Sequence, residues 1–155
     1  MTQASPQGVR VGRNEDRFGE RHDTGIGQVT FKVTTADSHG AMLVVELVHH
    51  TRGGPPQHIH HNQDEWFYVV EGSYIVGVGP DRFSLQPGDS AFGPRGVPHA
   101  WAFVDGPRGR IVLAVAPADR LEAFLRELGR RGTMAPQDPA FWPPYGMELV
   151  GPPLV

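Results

Sequence analysis

Four side chains in two short blocks of this sequence could hold one metal ion: His58, His60, Glu65 and His99. The first block, residues 53–72, reads Gly-Gly-Pro-Pro-Gln-His-Ile-His-His-Asn-Gln-Asp-Glu-Trp-Phe-Tyr-Val-Val-Glu-Gly. The second, residues 87–99, reads Pro-Gly-Asp-Ser-Ala-Phe-Gly-Pro-Arg-Gly-Val-Pro-His. Three neutral imidazoles and one carboxylate leave a divalent ion with net positive charge and open positions for water, dioxygen or a chelating substrate. The donor set suits one divalent transition metal per chain, Fe, Mn, Ni, Co, Cu or Zn, without choosing among them.

The elements that must position these groups are strands. Side chains alternate faces along a strand, so His58 and His60 point the same way and Ile59 the other. Glu65 opens the strand-like run Trp66-Phe67-Tyr68-Val69-Val70, and if Glu65 faces inward so do Phe67 and Val69. Gly72 is read as closing that run at a turn, with Tyr74–Val78 returning as the next strand. Trp101 and Phe103 share the face of His99. A close His pair, a carboxylate and a distant His meet only if the sheet curls back on itself.

These two blocks resemble the motifs of the cupin superfamily. The first motif runs His-X-His, four residues, Glu, six residues, Gly, matched by His58, His60, Glu65 and Gly72. The second runs Gly, five residues, Pro-X-Gly, two residues, His, three residues, Asn, matched by Gly88, Pro94, Gly96 and His99. Arg52 stands where the first motif has a leading glycine, and Phe103 where the second ends in asparagine. Neither departure touches a presumed ligand. The resemblance implies an all-β double-stranded β-helix, or jelly-roll, barrel with a C-terminal α-helix, and a homodimer. It covers residues 40 to 117 best, and neither motif occurs twice, which fits a single-domain member.

The organisation read from the chain is an N-terminal arm over 1–27, a barrel over 28–117, and a helix and tail over 118–155 packed on the barrel. Strands are expected over 28–35, 41–49, 73–78, 82–85, 90–92, 99–104 and 110–116. The helix signal is Leu121, Phe124, Leu125 and Leu128, one apolar stripe, with Gly129 read as its stop and the outside of the barrel as its simplest partner. Phe141, Trp142 and Tyr145 in the tail are costly to expose and are expected to cover the barrel, its mouth or a neighbouring subunit.

Composition narrows the function classes. A chain of 155 residues suits one domain with a real core. A net charge of −3 argues against an electrostatic nucleic-acid or membrane-surface binder. With no cysteine there is no disulfide, thiolate ligand or cysteine nucleophile. The 20 glycines and 15 prolines fall mostly between short β-rich runs, as in a barrel with tight turns. Residues 1–8 lack a secretion signal's apolar core and the longest apolar runs are too short to span a bilayer, so a cytoplasmic protein is expected.

Period-two parity places Phe67, Tyr74, Trp101 and Phe103 inward, as core filling or as the wall of an apolar substrate pocket. His61 and Asp64 should point away from the ligands, and His49 and His50 are read as structural. The resemblance to quercetin-dioxygenase-like cupins implies a metal-dependent dioxygenase acting on a small aromatic, flavonol-like or phenolic substrate, with Glu65 doubling as ligand and catalytic base. A non-redox polyketide cyclase, isomerase or lyase using the metal as Lewis acid is the alternative, and a non-catalytic binding barrel the third.

Overall fold

The computed structural model describes residues 6–155, so the first five residues of the expected arm lie outside the described residues. Strands β1 (His22–Asp23), β2 (Gly27–Val33), β3 (Leu43–His49), β4 (Pro56–His60), β5 (Asp64–Val78), β6 (Asp81–Leu85), β7 (Ser90–Gly93) and β8 (His99–Ala116) are followed by helix α1 (Leu121–Arg131). A short 3-10 turn (Pro143–Tyr145) then leads into β9 (Met147–Pro153). All pairings are antiparallel, in the order β1-β2-β3-β8-β4-β9, with β5 joined to β6, β7 and β8. The strands close into an antiparallel β-barrel followed by a C-terminal helix, the architecture that the motif resemblance implies.

Two long strands close the barrel. β8 pairs β3 through residues 109–115, β4 at His99, and β5 along both of its halves. The turn expected at Gly72 is instead a bulge, through which β5 continues with its register shifted. Gly72 has φ of 77°, and an added Cβ would lie 2.7 Å from the Arg108 carbonyl and 2.9 Å from the Phe103 ring. Only glycine fits both demands, and the extra residue lets one strand bend from one wall into the next. The expected pair of strands over 99–104 and 110–116 is likewise one continuous strand.

Alternation fills the interior. Phe31, Val45, Leu47, Phe67, Val69, Val76 and Ile111 are buried, while Trp66 and Val70 on the opposite face are exposed. The arm is tied in by Asp16, whose carboxylate accepts the Phe31 amide at 2.8 Å, and by Phe18, over which the Arg126 guanidinium of α1 sits at 4.3 Å.

The C-terminal part departs most from expectation. Helix α1 runs through Gly129 and stops at Gly132, the residue in the left-handed conformation, whose amide bonds the Leu128 carbonyl at 2.8 Å. The apolar stripe does not pack only outside the barrel: Leu121, Phe124, Leu125 and Leu128 line the cavity over His58, His60 and Glu65. Met147–Pro153 forms an unexpected strand against β4, where His58 faces Leu149 and His60 faces Met147. No helix among the described residues is long and apolar enough to cross a membrane.

Candidate metal centre

The four expected ligands meet. His58 and His60 come from β4, Glu65 from the start of β5 and His99 from the start of β8, paired to β4 through His58. One candidate ligand atom from each lies within 4.8 Å of every other, and all four residues are buried. Donors about 2.0–2.2 Å from a first-row ion occupy nearly that span. The rings of His60 and His99 lie parallel, 4.9 Å apart at 6°, and that of His58 is 4.6 Å from His99 at 66°.

Hydrogen bonds settle the tautomers. His58 Nδ1 donates to the Pro56 carbonyl at 2.7 Å, and His60 Nδ1 to Gln63 Oε1 at 2.6 Å. The Gln63 amide nitrogen is committed to the carbonyls of Pro117 (3.1 Å) and Ala118 (2.7 Å), so only its oxygen can face the imidazole. Both Nε2 lone pairs are therefore free for an ion. The sequence reading missed Gln63, whose carbonyl partners lie more than 50 residues away along the chain.

Charge points the same way. Glu65 Oε2 sits 2.7 Å from His99 Nε2 and 3.2 Å from His60 Nε2. Even so, Glu65 Oε2 and both ring nitrogens of His99 are buried without a bond of proper hydrogen-bond geometry. Burial alone would raise the Glu65 pKa, but the flanking imidazoles hold it far below the usual carboxylate range. Burial alone would lower the His60 pKa, but Glu65 beside it raises it above the ordinary value. His58 is pushed well below its ordinary value by burial, and further by His99 and His60. A buried carboxylate among imidazoles with orphaned donor atoms fits a divalent cation, which would displace the proton shared there.

The cavity facing these groups is small, about 40 Å³, and apolar. Trp101, Leu113, Phe124, Leu125, Trp142 and Met147 contribute to its lining, and the polar residues on it are Thr24, His58, His60 and Glu65. Of the four side chains expected as pocket wall, Trp101 alone is on this lining. Phe67 is buried edge-on to the His99 ring at 5.7 Å, while Tyr74 and Phe103 pack with each other and with His49. Parity identifies the inward face of a strand but not which inward side chains border the cavity, and these three pack into the core beside it. The missing wall comes from α1 and from Trp142, which stacks on His58 at 5.0 Å and 28°.

His61 and Asp64 hold other partners. His61 Nε2 lies 3.2 Å from the Glu148 carboxylate at the surface, and Asp64 is bound by both the amide and the guanidinium of Arg95.

Residues 44–115 match the family described as "Cupin domain". No curated protein is significantly similar in sequence. Among solved structures, KdgF from Halomonas sp. superposes with a TM-score of 0.61 at 20% identity, over 72% of this chain and 94% of that one. A nucleoside dehydratase from Streptomyces gives 0.58 at 17% identity, over 75% and 88%. An RmlC-like cupin from Shewanella frigidimarina gives 0.55 at 23% identity, over 74% and 96%. At such identities the likeness is one of fold. Residues 44–115 thus carry the cupin match, and they place all four candidate ligands within a cupin barrel.

Proposed function

We propose that the chain is a cupin-superfamily metalloenzyme, an oxygen-dependent dioxygenase of a small, neutral, aromatic compound with neighbouring hydroxyl and carbonyl oxygens. The supporting observation is the cavity: His58, His60 and Glu65 of the quartet border a space whose other walls are almost wholly apolar. Among the described residues, no Arg or Lys lines it to receive an acidic or phosphorylated group. Such a wall recognises an uncharged ring and excludes water. His58, His60, Glu65 and His99 would hold the ion, which supplies a Lewis-acidic, redox-capable centre where substrate and dioxygen can meet. Glu65, flanked by two imidazoles, is the carboxylate placed to take a substrate hydroxyl proton.

A non-redox lyase or cyclase is the second reading. Glu65 favours it, because a carboxylate beside a Lewis acid could also move a proton on carbon. The lining offers no further carboxyl, lysine or tyrosine as a partner acid, which places this reading second.

The test is oxygen uptake by protein reconstituted with each of Fe, Mn, Co, Ni, Cu and Zn against a panel of flavonols, catechols and hydroxyketones. Uptake that needs both metal and substrate, and is lost in His99→Ala, is the expected result. Turnover of a panel compound with zinc and without oxygen would replace this reading with the second.

A further inference from the structure

The chain's own C-terminal segment closes the metal centre. The cavity of about 40 Å³ holds a few waters, whereas one that takes up benzene measures about 150 Å³. Its cover includes Trp142, which has no exposed surface and whose indole lies between two rings. On one side is His58, at 5.0 Å and 28°; on the other is Phe124 of α1, at 5.2 Å and 43°.

The attachment of this cover is lopsided. The indole nitrogen donates to the Pro136 carbonyl at 3.0 Å, a partner in the same segment. The bonds made by Ala140 and Phe141 also end inside the segment, on Asp138. Ties to the rest of the chain fall at the ends. Thr133 bonds Leu128, Trp142 accepts the Met147 amide at 3.4 Å, Arg120 bonds the Pro144 carbonyl, and Gly146 accepts the His61 amide at 3.1 Å. Gly132 and Gly146, both left-handed with φ of 66° and 76°, flank the stretch. Between those ends, apolar contact and the Arg131 guanidinium over Phe141, at 4.6 Å, hold it down. Segments with few hydrogen bonds to their surroundings open at lower cost than the core does.

We propose that Trp142 is the gate and specificity residue of the metal centre. Residues 133–142 swing away as a unit. A planar, uncharged ring of the ligand then takes the slot between His58 and Phe124 that the indole fills in the closed state. The ligand must displace Trp142, so compounds lacking a flat apolar ring gain nothing from opening it. This rests on the reading of the quartet as a metal site, because His58, one wall of the slot, belongs to that quartet.

The experiment has two arms. In the first, metal-free full-length protein and its Trp142→Ala and Trp142→Leu variants are titrated with 2-naphthol, followed by fluorescence. A gate that is mostly shut lowers apparent affinity by the open fraction, so both variants should bind roughly tenfold or more tightly than the parent. Adding Phe124→Ala to Trp142→Ala should abolish the gain. Equal affinity in parent and variants overturns the gate. In the second arm, cobalt-loaded proteins are titrated with imidazole and followed by the visible Co(II) spectrum. Faster and tighter binding in the variants than in the parent is expected, and equal rates overturn the proposal. Failure of every protein to take up cobalt refutes the metal reading, while the naphthol arm still decides the gate. Trp142→Leu keeps apolar volume, so loss of fold in Trp142→Ala leaves the comparison intact.

Discussion

Gln63 holds His60 by a hydrogen bond of 2.6 Å from the imidazole Nδ1 to its amide oxygen, and two backbone carbonyls beyond it fix which way that amide points. The ring is thereby fixed in one tautomer with Nε2 turned toward Glu65. Outer partners of this kind are worth about 10–100-fold in metal affinity. Gln63→Leu should therefore weaken Zn²⁺ or Co²⁺ binding by roughly that factor, measured by competition with a chromogenic chelator. An unchanged affinity would show that the barrel alone orients His60.

Removing a ligand should cost more than removing its support. Glu65→Gln keeps the side chain's size but discards the charge that faces His60 and His99. Metal affinity should fall by more than the roughly 10–100-fold expected for Gln63→Leu. The metal-free variant should still fold, because the surrounding apolar core is untouched. The same chelator competition, with circular dichroism of the metal-free protein, checks both parts. Binding within a few-fold of the parent would remove Glu65 from the ligand set.

The quartet was legible because strand parity puts His58 and His60 on one face, while Glu65 and His99 were picked out by the likeness of the two blocks to the cupin motifs. The stripe Leu121, Phe124, Leu125, Leu128 was legible as a helix, since periodicity reports a buried face, but periodicity does not say what buries it. β9 was not legible: Gly151, Pro152 and Pro153 argue against a strand, and a strand at the edge of the sheet tolerates them. Gln63 was not legible as a site residue, and for Trp142 the sequence says only that it covers the barrel, its mouth or a neighbouring subunit, for one shared reason. Each acts through a contact with distant chain, Gln63 on Pro117 and Ala118, Trp142 on His58, and no local pattern encodes such a meeting.

His49 should make the fold acid-sensitive. It is buried with Nδ1 2.7 Å from the Tyr74 hydroxyl and Nε2 unpartnered, and burial, then the charge of His50, lowers its pKa to about 4. Unfolded, the imidazole takes a proton near pH 6.5; folded, it refuses one until about pH 4. Its contribution is thus fully present above pH 6.5 and declines as pH falls toward 4, by about 3 kcal/mol at most. Urea unfolding of metal-free protein across that range should show a shallower pH dependence in His49→Asn than in the parent. Parallel curves would mean that His49 opens to water before it titrates.

Two glycines with left-handed backbones separate strain from crowding. At Gly88, φ is 93° and an added Cβ would meet nothing within 4 Å. Gly88→Ala should therefore cost only the backbone strain, about 1–2 kcal/mol. At Gly72, φ is 77°, but the added Cβ would sit 2.7 Å from the Arg108 carbonyl and 3.1 Å from the Gly109 Cα. Those atoms belong to β8 across the bulge, and neither can swing aside as a flexible side chain could. Gly72→Ala must push β5 from β8 where both strands bend between walls, so its cost should exceed that of Gly88→Ala by at least about 1 kcal/mol. Because the bend also sets how the start of β5 meets the start of β8, the Gly72 variant should lose metal affinity and the Gly88 variant should keep it. Denaturant melts and chelator competition on the two proteins read both consequences, and equal losses at the two positions would mean that the bulge yields freely.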